Sequence, residues 1–237
     1  MKFTETVQIY NYDVDMRGVL RPTALLAKLE EVGSHQMLAY PPSNDDLRAR
    51  GMGFILSRAV LRIYTELREG DTATAETFAT DSRGLAFNRC YHMLRDGEVA
   101  AEVYTVWALL NFEEHRLLRV GEIGEVGGEP DPAFSLDIPL RVRMPAAEEF
   151  LEVAKREVYY SDTDMNGHMN NTKYLNMLCD FVPEIEKKSL KGINISYVAE
   201  APLGEQLTVL RKADGDTCYF KTVRSDGKIN CEAVLYF

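Results

Sequence analysis

Tyr160-Ser161-Asp162-Thr163-Asp164-Met165-Asn166-Gly167-His168-Met169-Asn170-Asn171 has a shorter echo near the start of the chain, Tyr12-Asp13-Val14-Asp15-Met16-Arg17-Gly18. Both stretches contain Asp-Met-x-Gly, and both lie between a strand-like run and a helix-like run. Before them stand Thr6-Val7-Gln8-Ile9-Tyr10 and Arg156-Glu157-Val158-Tyr159, whose alternation suits half-buried strands. After the first, Leu25, Leu26, Leu29, Val32 and Met37 fall near one helical face, with Pro22 placed for a first turn. After the second, Tyr174, Leu175, Leu178, Phe181 and Val182 do the same; Asn170 or Asn171 can cap, and Pro183 fits a helix ending nearby.

Each helix is followed by β-rich sequence. The first half offers strands over 54–64, 72–79, 87–94 and 99–110, the second over 193–198, 206–211, 217–223 and 229–237. Asp96-Gly97 and Asp226-Gly227 join the last two strands of each set, a strong hairpin signal. The chain is therefore read as an internal repeat, strand, helix, then about four strands, twice over. A Gly-, Pro- and Glu-rich stretch from Gly121 to Pro139 separates the copies. The expected organisation is an N-terminal repeat over 1–125, a linker over 126–145 and a C-terminal repeat over 146–237. The fold class is α+β, a double hotdog in which each long helix is wrapped by an antiparallel sheet and the two sheets pair into one. Pairing covers edge strands that would otherwise invite aggregation.

Composition narrows what the repeat does. Hydrophobic residues make up 46% and charged ones 27% of 237 residues, an ordinary globular balance. No apolar run reaches the roughly 18 residues of a membrane span. The start, Met1 to Tyr10, alternates like a strand rather than a signal peptide, so a cytoplasmic location is expected. The Asn-x-Ser/Thr matches at Asn170 and Asn194 carry no meaning there. A net charge of −10 argues against nucleic acid but not against an acidic protein partner, which needs only a local basic patch. Lys187, Lys188 and Lys191 form one such patch and Arg141 with Arg143 another, although solvated surface is the plainer reading. Cys90, Cys179, Cys218 and Cys231 are scattered and read as reduced core thiols; with four His they suggest no metal site, and no cofactor is expected.

The two copies differ in polar groups. Asp164, Asn166 and His168 alternate, so in an extended segment they point the same way, and Gly167 permits close backbone approach or an unusual φ. The aligned positions of the first copy are Asp15, Arg17 and Val19. The turn is kept while the amide and the imidazole are not. One copy reads as a reactive site and the other as scaffold.

The chain resembles the plant and bacterial acyl-acyl-carrier-protein thioesterases over nearly its whole length. Asp164 to Tyr174 is similar to that family's Asp-x-Asn-x-His-x-Asn-Asn-x-x-Tyr block. Ile55-Leu56-Ser57-Arg58, Leu61-Arg62-Ile63-Tyr64, Gly70-Asp71 and Val106 to Asn111 look like its characteristic strands. The resemblance implies a functional set of Asp164, Asn166, His168 and Glu200, the last from Tyr197-Val198-Ala199-Glu200-Ala201. Where the plant enzymes carry Cys after that Glu, this chain has Ala201, so a Cys–His mechanism there is closed; Cys179, about three helical turns beyond His168, is no substitute. The implied activity is hydrolysis of a fatty acyl thioester. A thiolate leaves readily, since its pKa lies near 8.5. Activation of water by Glu200 or His168 and an oxyanion held by helix N–H groups would suffice. Leu25, Leu29, Phe54 and Gly167 are candidates to line the acyl chain, though the three apolar ones read equally well as core. An acyl-coenzyme A thioesterase and a non-catalytic acyl-binding hotdog remain as alternatives, as does a homodimer.

Overall fold

In the computed structural model, which describes residues 2–122, 134 and 136–237, the strands form one eleven-stranded sheet. The first half contributes β1 (Phe3–Gln8), α1 (Pro22–Ala39), α2 (Asn44–Ala49), β2 (Met52–Ile63), β3 (Thr72–Arg83), β4 (Ala86–Arg95), β5 (Glu98–Asn111) and β6 (Arg116–Leu118). The second contributes β7 (Leu151–Glu157), α3 (Asn171–Asp180), β8 (Gly192–Tyr197), β9 (Gln206–Asp214), β10 (Thr217–Val223) and β11 (Ile229–Tyr236). The strand order is β1-β3-β4-β5-β2-β8-β11-β10-β9-β7, with β6 beside β5. Read outward from its centre, the order in one half repeats that of the other, β2 matching β8 and β1 matching β7. This is the double hotdog.

The halves join where β2 and β8 pair antiparallel, from Arg58 opposite Ser196 to Arg62 opposite Gly192. Ala59, Leu61, Ile193 and Ile195 point to the helical side and are fully buried. The apolar stripe of α1 (Leu25, Leu26, Leu29 and Val32) and that of α3 (Leu175 and Leu178) meet them in one continuous core. Burying each such side chain contributes about 2 kcal/mol. The helices touch near their N-termini, where Thr23 Oγ1 donates to the Thr172 carbonyl at 2.9 Å.

Local signals explain most element ends. Pro22 opens α1, where its missing N–H costs nothing. Asn170 caps α3, its Oδ1 accepting from Thr172 N at 2.9 Å. The helix stops at Asp180, so Phe181 and Val182 lie beyond it. The hairpins are not alike. Asp96 and Gly97 both have positive φ (54° and 83°), as a two-residue turn between twisted strands requires. At Asp226-Gly227 only the glycine does, and Arg224 N bonds Lys228 O at 2.9 Å around a three-residue loop.

Much of the expected linker, 126–145, falls on residues 123–133 and 135, outside the described residues. Phe134 and residues 136–139 lie on the sheet face away from the helices. Phe134 stacks on His92 at 5.6 Å, and Asp137 pairs with Arg62 at 3.0 Å. Ile138 lies against Gly192, where a β-carbon would clash with its Cδ1.

Candidate active site

The Asp164 loop is shaped by its own carboxylate. A one-turn 3₁₀ helix, Tyr160–Asp162, leads into it. Asp162 is buried, taking Tyr159 N at 2.9 Å and Arg156 Nη2 at 2.7 Å. Burial raises its pKa, but the Arg156 guanidinium and the backbone N–H together hold it below the usual carboxylate range. Asp164 N donates to His168 O at 2.9 Å, and Gly167 N returns to Asp164 O at 3.0 Å. Asp164 Oδ1 accepts from Asn166 N at 2.8 Å, and Oδ2 faces Asn166 Nδ2 at 3.4 Å. Gly167 has φ 77°, with open space around its missing β-carbon. It is glycine for its backbone conformation, not for a close approach.

The loop docks on the segment after β8. Met169 N bonds Ala201 O at 2.8 Å, Leu203 N bonds Gly167 O at 3.1 Å, and His168 bridges Pro202. This docking brings Glu200 to the loop, with Oε2 3.5 Å from His168 Nε2. Both side chains keep contact with solvent, 33% for His168 and 60% for Glu200. Arg224 holds the Glu200 carbonyl at 3.0 Å. The helix N–H groups are less open than the sequence suggested: Thr172 N is taken by Asn170 Oδ1 and Lys173 N by Asn170 O, and just before the helix Met169 N and Asn170 N are taken by Ala201 O and Asp162 O. Asn166 Nδ2 and His168 Nε2 are the side-chain donors nearest to hand.

The first copy repeats this scaffold bond for bond. Asp15 N meets Val19 O at 2.8 Å, Gly18 N meets Asp15 O at 2.9 Å, and Leu20 N meets Leu67 O at 2.8 Å. Leu67 therefore stands where Ala201 stands, and Glu66 where Glu200 stands, a correspondence that sequence spacing did not reveal. Its polar groups are engaged with one another and with neighbouring segments. Arg17 spans Asp15 Oδ2 at 3.1 Å and the Lys188 carbonyl at 2.6 Å. Glu66 is held by Arg68 at 2.6 Å and Ser189 at 2.9 Å, and Val19 is buried. Burial would raise the pKa of Asp15, but bonds from Val19 N, Arg17 N and the Arg17 guanidinium lower it.

A cavity of about 540 Å³ lies between the C-terminal half of α1, the segment through α2, and the sheet of the first half. Met37, Met52, Phe54, Phe87, Trp107 and Phe112 give it an apolar wall, and Asn166 of the second half reaches it. Arg48 of α2 contacts Met165 Sδ at 3.4 Å, which ties the cavity's rim to the Asp164 loop. α2 is seated there by buried Leu47 and by the Ser43 cap, whose Oγ accepts from Asp46 N at 3.1 Å. Of the expected lining residues, Phe54 is in this wall. Leu25 lines a smaller cavity, about 250 Å³, beside Arg17; Leu29 is fully buried in the core. Sequence reading missed Glu30, Arg48 and Arg89 as lining residues. Glu30 carried a signal, a charge at i+4 from Leu26 on a buried helical face; Arg48 and Arg89 carried none.

Cys90, Cys218 and Cys231 are buried, and burial pushes the Cys179 thiol up to about 12, so it is no thiolate near neutrality. Among the described residues no cluster of His, Cys, Asp and Glu could hold a metal ion, and no helix is long and apolar enough to cross a membrane. Lys188 lies over Phe237 and lines the smaller cavity, on the Arg17 side rather than the His168 side.

Residues 1–123 match the acyl-ACP thioesterase N-terminal domain and residues 146–237 the acyl-ACP thioesterase C-terminal domain. The chain is 26% identical over 180 residues to a chloroplastic palmitoyl-acyl carrier protein thioesterase of Arabidopsis thaliana, covering 70% of this chain and 42% of that one. It is 21% identical over 250 residues to a chloroplastic dodecanoyl-[acyl-carrier-protein] hydrolase of Cinnamomum camphora, covering 98% and 63%. It thus spans less than two thirds of the length of either curated relative. Among solved structures, an acyl-ACP thioesterase from Bacteroides thetaiotaomicron superposes with a TM-score of 0.88 at 20% identity, covering 100% of this chain and 97% of that one. The 12:0-ACP thioesterase from Umbellularia californica gives 0.84 at 18%, covering 99% and 96%. With both domain models matched in order, the chain belongs to the acyl-ACP thioesterase family.

Proposed function

We propose that the protein hydrolyses the thioester of a fatty acyl group carried on acyl carrier protein, releasing the free acid. The observation that carries this reading is the meeting of His168 and Glu200, 3.5 Å apart, where the Asp164 loop adjoins a cavity built by the other half. The acyl chain lies in the cavity with its thioester at Asn166. Glu200, open to solvent, takes a proton from water, and His168 orients that water and steadies the carboxylate's charge. The water oxygen adds to the carbonyl carbon, Asn166 Nδ2 stabilises the oxyanion, and the C–S bond breaks. The thiolate departs and takes up the proton. Asp164 holds the loop and aims Asn166. The 3.5 Å separation is longer than a good hydrogen bond, and catalytic contacts of this kind tighten when substrate binds.

Carrier protein rather than coenzyme A is favoured by the family, and the chain's negative charge then requires a local basic contact for an acidic carrier. Arg48 at the cavity rim is such a contact, whereas Lys188 of the Lys187, Lys188 and Lys191 cluster stands on the Arg17 side. The test is hydrolysis of matched acyl-carrier-protein and acyl-coenzyme A esters. A preference of kcat/KM for the carrier protein that fades with salt supports the reading, and equal rates on both point to the coenzyme A enzyme.

A further inference from the structure

A hydrocarbon chain asks for apolar walls, and one side of the large cavity does not supply them. Glu30 enters it from α1, at a position where the helix's buried face calls for an apolar residue. Glu30 Oε1 is buried and has no hydrogen-bond partner among the described residues. Several of the polar groups around it are occupied. Ser34 Oγ donates to the Glu30 carbonyl at 3.2 Å, Arg89 donates to Gln36 and to Thr77 Oγ1, and Asn88 donates to Asp81 O. Among the described residues no cation pairs with the Glu30 carboxyl, and burial pushes its pKa up to about 8, so it is largely protonated at neutral pH. A neutral carboxyl offers one O–H donor and one acceptor. Leaving them unmade in an apolar setting costs folding free energy that a leucine would not. The sheet approaches the helix closely beside this place. Gly33, the next residue on the same face, would put a β-carbon 2.9 Å from Tyr91 Oη.

We propose that the cavity takes an acyl chain bearing a hydroxyl or oxo oxygen along its length, and that Glu30 is the residue that recognises it. This rests on the thioesterase reading and names its substrate class. A hydroxyl satisfies both functions of the carboxyl, donating to its carbonyl oxygen and accepting from its O–H; an oxo group accepts from the O–H. A saturated chain leaves both unmet, and sites built to bond a substrate oxygen discriminate strongly against analogues that lack it.

The test compares saturated acyl-carrier-protein esters with esters of equal length carrying a hydroxyl stepped along the chain, using wild type, Glu30→Gln and Glu30→Leu. Wild type should favour at least one hydroxyacyl ester in kcat/KM by about tenfold, the scale of one well-made hydrogen bond. Glu30→Gln should keep part of that preference, and Glu30→Leu should lose it and gain on saturated esters. Calorimetry with the matching free acids runs beside this, so binding is read even without turnover. Hydrolysis of saturated and hydroxylated esters alike, or a preference unchanged in Glu30→Leu, overturns the proposal and leaves the thioesterase standing. No hydrolysis of any ester overturns the thioesterase reading; equal calorimetric affinity for hydroxylated and saturated acids then overturns the Glu30 proposal separately.

Discussion

Asp15 and Asp164 occupy the same turn and make the same bond to the backbone two residues on, at 2.8 Å in each case. Both therefore support their loops, and replacing either with Asn should cost about 1 kcal/mol of stability. Only Asp164 aims an amide at the cavity, so Asp164→Asn should also slow turnover, by about tenfold or more, while Asp15→Asn should not. Chemical denaturation beside steady-state assays separates the two effects. Equal turnover losses would mean that the first copy is reactive too. The difference between the two loops was legible in the sequence, because Arg17 and Val19 carry neither the amide of Asn166 nor the imidazole of His168. The shared structural duty of the aspartates was not, because it depends on where the loop's N–H groups point. Cysteine gives a second residue-level prediction. With Ala201 buried and Cys179 held protonated, Cys179→Ser should keep most activity in folded protein, and an acyl-cysteine trapped by mass spectrometry would contradict this. Glu30 gives a third. Unfolded, its carboxyl ionises near 4.5; folded, it keeps its proton to about 8. Between those values the folded state binds more protons, so Glu30's contribution makes stability fall as pH rises, by up to about 1.4 kcal/mol per unit. Glu30→Gln removes that slope. Its stability advantage over wild type, measured by denaturant titration, should therefore grow from about pH 5.5 to about pH 7.5; a constant difference would show that the carboxyl is solvated.

Helix length decides which half holds the cavity. α1 runs 18 residues and is followed by α2; α3 runs 10 and ends before Pro183. The longer helix and its extension stand off the sheet and enclose about 540 Å³, while the shorter one lets residues 185–190 close over Arg17. Pro22, the apolar stripe and Pro183 made both helices readable. α2 was not readable, because six residues carry too little periodicity and its capping box lies in a run of polar residues. The hairpins teach the same limit. Asp-Gly marked both turns, yet loop length differed, because the dipeptide fixes a turn residue and not the register of the strands it joins. One glycine matters at this scale. Gly192 pairs opposite Arg62, and a β-carbon there would meet Leu61 O at 2.8 Å as well as Ile138. Gly192→Ala should cost about 1–3 kcal/mol in thermal or denaturant unfolding, by displacing the crossing segment or parting β2 from β8. An unchanged midpoint would mean that the segment yields freely.

Across the whole molecule the two halves are complementary rather than redundant. The second supplies the loop with Asp164, Asn166 and His168, together with Glu200; the first supplies the cavity; β2 and β8 lock the two into one sheet. The repeat, the fold class and the polar set could all be read from residues and resemblance. The docking of Glu66 in the image of Glu200 could not, because it is set by tertiary hydrogen bonds between segments far apart in sequence. That pair shows whether the chain has one reactive site, in its second half. Release of free acid from acyl-acyl carrier protein should be measured for wild type, His168→Ala, Glu200→Gln and Glu66→Gln. The first two substitutions should lower kcat by about a hundredfold or more, the scale of lost acid–base catalysis, with folding intact. Glu66→Gln should turn over like wild type. Full activity in Glu200→Gln and His168→Ala, or a matching loss in Glu66→Gln, would contradict a single site there.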